Sequence, residues 1–318
     1  MGYIGAITIH DTFIQKAASP KSVVLRKLRE FLDREEPELV YFLVNFWHNQ
    51  SKAITYKEIR EAILRGDLDP ALLEEWQQDY ARFVTMHLEP LWHRAMEASA
   101  AEIARKYPEW NFDPMAEGVQ QWTLTRAADF VTNSTDTQIR GLRRLIVRAA
   151  NIEDMTVDQL SRAIRPMVGL TYQQGIANFN YYTKLINSGV SQKRAMDLSI
   201  RYAARQHRFR GYNIARTELA FAYNQGAYQG TKQAQAAGYM GEAVKIWCTA
   251  DDERVCKICG GLDGKRIALD EDFNFYTRLA GNLNPTIKRV PPAHPSCRCG
   301  IMIEEIAPPN WITQANRE

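Results

Sequence analysis

The chain has five cysteines, and four of them gather with its last histidine into two short C-terminal clusters. The first is Cys256-Lys-Ile-Cys259-Gly-Gly, and the second, after 34 intervening residues, is His294-Pro-Ser-Cys297-Arg-Cys299. Soft donors in two tight groups joined by a long loop are the ligand pattern of a tetrahedral zinc site, because each group supplies two ligands and the metal closes the loop. Gly260 and Gly261 suit a chain that turns its amides toward thiolate sulfur. Cys256, Cys259, His294, Cys297 and Cys299 are five candidates for four positions, which describes a closed structural site. A catalytic zinc keeps one position open. Cys297 and Cys299 lie two apart, so in a strand both point the same way and either could complete the site. Cys299, which begins the alternating Cys299, Ile301, Ile303 face, is slightly preferred.

Other chemistries for the same residues make demands of their own. A redox Cys-x-x-Cys should open a helix after a strand, whereas Gly260-Gly-Leu-Asp-Gly-Lys265 reads as a turn. Reduced thiols without metal, or a disulfide, are the remaining structural readings. A zinc deaminase needs His-x-Glu with Pro-Cys-x-x-Cys, yet Pro295 and Ser296 follow His294, and Val255 precedes Cys256. A metalloprotease needs His-Glu-x-x-His, which is absent. A zinc-knuckle nuclease needs a further histidine between the clusters, and residues 260 to 293 hold none. Asp251, Asp252 and Glu253 read as a solvated acidic turn. Cys248 alternates with Val244 and Ile246 as a small core hydrophobe and is excluded from the site.

The elements that must carry these clusters read as helical from about residue 20 to residue 237. Leu39, Phe42, Leu43, Phe46 and Trp47 recur at the spacing of one buried helix face. Thr55-x-x-Glu58, Thr135-x-x-Gln138, Thr156-x-x-Gln159 and Thr171-x-x-Gln174 are four capping-box signatures, each predicting a helix start. Gly66 is expected to end its helix in a left-handed cap, Gly189 to end a later helix, and Pro90 to kink or interrupt a long helix running to about Tyr107. Ala215, Leu219, Ala222, Gly226 and Gly230 form a stripe of small residues on the last helix. After Gly238 the period changes to two, with Val244, Ile246 and Cys248 on one side and Lys245, Trp247 and Thr249 on the other. The fold expected is mainly α, with a small C-terminal β-rich module stapled by zinc. Its divisions are a helical region 1–112 of unassigned role, a basic helical part 113–237, a Cys/His-rich module 238–306 and a tail 307–318. A module of that size has a thin core, and such modules usually need a staple.

The chain is 45% hydrophobic and 24% charged, ordinary globular usage. No stretch has the length and apolarity of a membrane span, the first residues lack the pattern of an export signal, and Ala6 breaks a myristoylation signal at Gly2. The net charge of +3 hides an asymmetry, since residues 111 to 220 carry 15 basic and 9 acidic side chains. Arg140, Arg143, Arg144 and Arg148 recur at helical spacing, followed by Arg201, Arg205, Arg208, Arg210 and Arg216 with His207 among them. The face made by Arg140, Arg143, Arg144, Arg148, Arg201, Arg205 and Arg208 suits DNA phosphates or an acidic protein partner. The alternative is a solvated face with intrachain carboxylate pairs.

Ile214-Ala-Arg-Thr-Glu218, Asn224-Gln-Gly226, Trp247, Asp252-Glu-Arg-Val-Cys256, Cys259, Leu262-Asp-Gly-Lys265 and Pro291-Pro-Ala-His-Pro-Ser-Cys-Arg-Cys299 together closely resemble the phage Mu protein F-like head morphogenesis family. The resemblance covers roughly residues 120 to 303. It implies a minor capsid protein of a tailed bacteriophage or prophage, assembled in the host bacterial cytoplasm and carried in the virion head. Its implied partners are the portal protein, other head proteins and packaged DNA, with no membrane and no small-molecule substrate. The family pattern transfers no catalytic role, and Arg216, Thr217, Glu218 and Asp252 stand in it without an assigned one. Arg216 and Glu218, which flank Thr217, read as an internal helix ion pair or as a surface contact. The reading is therefore a structural, non-enzymatic head protein with zinc as structural cofactor. A zinc-dependent nuclease acting on phage DNA and a simple DNA-binding module are the alternatives.

Overall fold

A computed structural model describes residues 19–150, 156–250, 252–253, 255–279 and 282–309. Asp251, the Gly2 signal and all but the first three residues of the tail 307–318 lie outside the described residues. Nine α-helices precede or interrupt five strands among the described residues. Helix α1 spans Pro20–Ala53, α2 Tyr56–Arg65, α3 Pro70–Phe83, α4 Glu89–Lys106 and α5 Glu117–Ala150. Helix α6 spans Val157–Ile164, α7 Tyr172–Asn187, α8 Gln192–Ala236 and the short α9 Lys257–Leu262. The mainly helical class with a strand-containing C-terminal region is as the sequence predicts.

Three of the four capping signatures do what their chemistry requires. The hydroxyls of Thr55, Thr156 and Thr171 accept from the amide three residues on, and Glu58, Gln159 and Gln174 reach back to the cap amide. Gly66 and Gly189 both take positive φ at helix ends. Thr135 departs from the expectation: it lies inside the 34-residue α5, and no helix begins there. Its signature is local, whereas Gln138 is fully buried and accepts from the Tyr80 hydroxyl while donating to Gln50. Tertiary hydrogen bonding, rather than a cap, uses this glutamine. Ahead of Pro90 the helix widens into a π turn, Val84–Leu88, between α3 and α4. A wider turn there accommodates a residue that has no N–H to give.

Helix α8 is the spine of the molecule. Helices α1, α3, α4, α5 and α8 share one core containing Leu39, Leu43, Trp47, Tyr80, Trp92 and Leu219. The small stripe lets α4 come close: an added methyl at Gly226 would stand 2.3 Å from the Met96 Cα. A second core joins α2, α5, α6 and α7 through residues such as Ile59, Leu145, Leu160 and Phe179.

Beyond Gly238 the predicted strands appear. Strand β1, Ala243–Cys248, is central in a three-stranded antiparallel sheet, flanked by β2, Arg266–Ala268, and β5, Gly300–Glu305. A separate hairpin pairs β3, Phe273–Leu279, with β4, Asn282–Lys288. The alternation along β1 is real but its polarity differs from the expectation. Trp247, not Val244 or Ile246, joins the module's main core, with Phe273, Leu262, Val290 and Ile301. Lys245 is fully buried on that same side, its ammonium 5.2 Å from the Tyr228 ring centre and 5.6 Å from that of Phe273. Cys248 is buried, as expected of a small hydrophobe. Three of the residues in the module's core are the cysteines Cys259, Cys297 and Cys299.

Candidate metal centre

The first cluster is held by a helix, which corrects the turn expected after Cys259. Cys256 occupies the N-cap of α9, and its sulfur accepts the Cys259 amide at 3.4 Å. An N-cap has an acceptor aimed at free amides, and here the acceptor is a thiol, so the cap favours the thiolate. Burial alone would raise the Cys256 thiol, but the Cys259 amide and the nearby His294 hold it below its ordinary value. The helix is only six residues long.

The second cluster approaches from the loop before β5. His294 Nε2 lies 3.1 Å from Cys256 Sγ and 3.2 Å from Cys259 Sγ, and Cys297 Sγ lies 3.7 Å from Cys259 Sγ. The donor atoms form two triads, Cys256–Cys259–His294 and Cys259–Cys297–Cys299, each within 4.8 Å and sharing Cys259. All five sequence-predicted ligands are thus brought together. The spacing fits a metal: two sulfurs bonded tetrahedrally to one zinc at about 2.3 Å stand about 3.8 Å apart, and a disulfide needs them at about 2.05 Å. The described cysteines are all unbridged. The histidine is set in the required tautomer, because Nδ1 lies 2.9 Å from the Pro295 carbonyl and donates to it, leaving the Nε2 lone pair toward the sulfurs.

Electrostatics in the second triad point the same way. Hydrogen bonds with Cys297 and Cys299, together with burial, raise the Cys259 thiol, and hydrogen bonds from Cys259 and Cys299 hold the Cys297 thiol low. Three sulfurs this close raise the cost of placing negative charge on more than one of them. Losing all three protons requires a cation.

Residues that the sequence marks without a role turn out to fix this loop. Thr217 on α8 donates its hydroxyl to the Asn213 carbonyl at 2.6 Å and accepts the Ser296 amide at 3.0 Å. The Ser296 hydroxyl reaches Asn213 Oδ1 at 2.8 Å, holding this residue at a φ of 60° between His294 and Cys297. Arg298 forks onto Asp252 at 3.0 and 3.1 Å, tying the second ligand loop to the turn before the first. Asn224 donates to the Cys299 carbonyl at 3.2 Å and accepts the Ile301 amide at 2.9 Å, which seats the start of β5 on α8. Arg216 and Glu218 do not pair with each other. Arg216 forks onto the buried Glu36 of α1 at 2.7 and 2.8 Å, and Glu218 receives both arms of Arg126 from α5. Residues two apart on a helix point to different sides, so an internal pair is disfavoured, and each finds a partner on a different helix.

The basic surface divides. Arg140, Arg143, Arg144, Arg148, Arg201, Arg205 and Arg208 are exposed. Arg143 pairs with Asp67 at 2.6 Å, and Arg144 and Arg205 lie over the rings of Tyr172 and Tyr202. Arg210, Arg216 and His207, which share the sequence run, are occupied internally: Arg210 is buried against Trp47, and His207 Nε2 lies 2.7 Å from the Val168 carbonyl.

Residues 156–302 match the family model described as Phage Mu protein F like protein. The chain carries a Mu F-like module. No curated protein and no solved structure matches the chain. The match begins at the Thr156 cap and ends in β5, so it takes in α8, both ligand clusters and the clamps between them. The likeness to the Mu F-like family covers these 147 residues, somewhat under half of the chain. No helix among the described residues is long and apolar enough to cross a membrane.

Proposed function

We propose that this is a minor capsid protein of a tailed phage or prophage that assists procapsid assembly, with a C-terminal module fastened by one zinc ion. The observation that carries the reading is the coincidence of the family match with the clamps. The matched residues Thr217, Asn224, Asp252 and Arg298 are spent on holding the two ligand loops together rather than presented to a substrate. In this reading zinc recruits Cys256, Cys259 and His294 plus one sulfur of the second triad. Cys297, at 3.7 Å from Cys259, and Cys299, in the same triad, are the two candidates for that place. The zinc is structural, supplying the cross-link that a small module otherwise lacks.

The portal protein and packaged DNA are the partners this reading assigns. The exposed arginines of α5 and α8 support a contact with DNA phosphates or with an acidic protein surface. Co-sedimentation tests the assembly role directly. The protein, expressed with the capsid and portal genes of its own phage or prophage, is expected in the procapsid fraction of a density gradient. Its confinement to the soluble fraction, with procapsids forming normally, would overturn the assignment.

A further inference from the structure

Strand β5 has an open outer edge. Among the described residues it pairs with β1 alone, in the sheet order β2-β1-β5. Residues facing each other across an antiparallel pair alternate between exchanging both backbone bonds and turning both away. Trp247, opposite Ile301, gives its N–H to the Lys265 carbonyl and takes the Gly264 amide, while the Ile301 N–H goes to Asn224. That pair is of the second kind. Ile303, opposite Lys245, is two residues on and in the same phase, so its N–H and C=O also point away from β1. No described residue takes up either group.

Against this edge lies a groove of about 240 Å³, walled by α1, α4 and α8. Val23, Val24, Ile103, Ala227 and Met240 give it a mainly apolar lining. Its charged side chains are matched within the lining: Lys27 pairs with Glu102, Lys106 pairs with Glu305, and the Tyr107 hydroxyl also donates to Glu305. Asn224 is spent on the Ala220 and Cys299 carbonyls and the Ile301 amide. Ser99 and Tyr223 add uncharged hydroxyls.

This inventory selects a ligand chemistry. A charged group would find no unmatched counter-ion in the lining, and a pure hydrocarbon would leave the Ile303 N–H and C=O without partners. An uncharged peptide meets both conditions, its backbone pairing with the edge and an apolar side chain entering the groove. Since a cavity of about 150 Å³ accepts a benzene, the groove has room for a side chain the size of leucine or phenylalanine.

We propose that the open edge of β5 takes up an extended, uncharged apolar segment of a partner protein as an added strand centred on Ile303. The assignment depends neither on the metal nor on the head-protein reading.

Ligand-observed NMR on the full chain tests it with three probes: acetyl-Leu-Val-Leu-amide, acetyl-Leu-Pro-Leu-amide, which lacks the central N–H, and acetyl-Glu-Val-Glu-amide. The first is expected to bind with a Kd of about 0.1–1 mM, as its size allows, and the other two at least about tenfold more weakly. At saturation the first probe should also slow hydrogen exchange at the Ile303 amide by about tenfold, a readout that needs no variant. Val23→Trp fills the groove from α1 and should weaken the first probe by about tenfold or more. Equal binding of the valine and proline probes, unchanged exchange at Ile303, undiminished binding by Val23→Trp, or no binding of any probe would each overturn the proposal. Binding that appears only after residues 2–18 are deleted would give the groove to the chain's own N-terminal segment and would overturn it as well.

Discussion

Thr217→Val replaces a hydroxyl by a methyl of nearly the same shape and so isolates one interaction across the metal loop. The hydroxyl accepts the Ser296 amide at 3.0 Å, and valine leaves that N–H without its partner. An orphaned buried donor costs about 1–3 kcal/mol. Ser296 is half-buried, so water recovers part of the loss and the lower half of that range applies, about 1–2 kcal/mol. If the loop takes this shape to bind metal, the cost appears in metal affinity, where about 1.4 kcal/mol is tenfold. Zinc affinity should therefore fall about 5- to 30-fold, within the range seen when residues supporting metal ligands are changed. Competition against a chromophoric chelator measures it. Thr217→Ser, which keeps the oxygen, should bind like the parent. Affinity of Thr217→Val within about twofold of the parent, or an equal loss in Thr217→Ser, would refute the claim that this hydroxyl positions the loop.

Two glycines of α8 should answer oppositely to alanine. At Gly226 the new methyl would meet Met96 backbone at 2.3 and 2.4 Å, so α4 and α8 must part, and a loss of about 1–3 kcal/mol or more is expected from the urea midpoint. At Gly211 the nearest atom is the Val40 side chain at 3.4 Å, an ordinary contact, and the helix propensity of alanine should stabilise by up to about 1 kcal/mol; the same sign at both sites would contradict the packing described. His207 supplies a pH dependence: burial, with Arg210 and His48 nearby, lowers its pKa to about 4 despite its contact with the Val168 carbonyl. Between that value and an unfolded value of about 6.5 the unfolded chain binds the extra proton, so stability is full above the upper limit and falls as pH drops through the window. His207→Gln should flatten that segment of the stability profile, and an unchanged slope would rule His207 out as its source.

What the sequence made legible were features whose cause is local. Capping boxes at Thr55, Thr156 and Thr171 need only three residues to work, the small stripe of α8 needs only its own period, and the two ligand clusters announce themselves by donor type and spacing. Thr135 carries the same letters and fails, because Gln138 was needed by Tyr80, 58 residues away, and by Gln50, 88 residues away. The partners of Arg216 and Glu218 were invisible for the same reason, lying 180 and 92 residues distant. Lys245 shows a different limit. A lysine at an alternating position reads as solvent-facing, yet β1 is the middle strand and both its faces are covered, so the ammonium is sheltered by Tyr228 and Phe273. The helix at Cys256 was missed because two consecutive glycines disfavour one, and the thiol cap that favours it becomes apparent only when His294 arrives from the other loop.

The central claim is that a metal ion joins those two loops. Protein purified without chelators and assayed by elemental analysis should carry one zinc per chain, and X-ray absorption should show a shell dominated by sulfur at about 2.3 Å with one nitrogen at about 2.0 Å. Well under about half an equivalent of metal, in folded protein whose four clustered cysteines react freely with a thiol reagent, would contradict it.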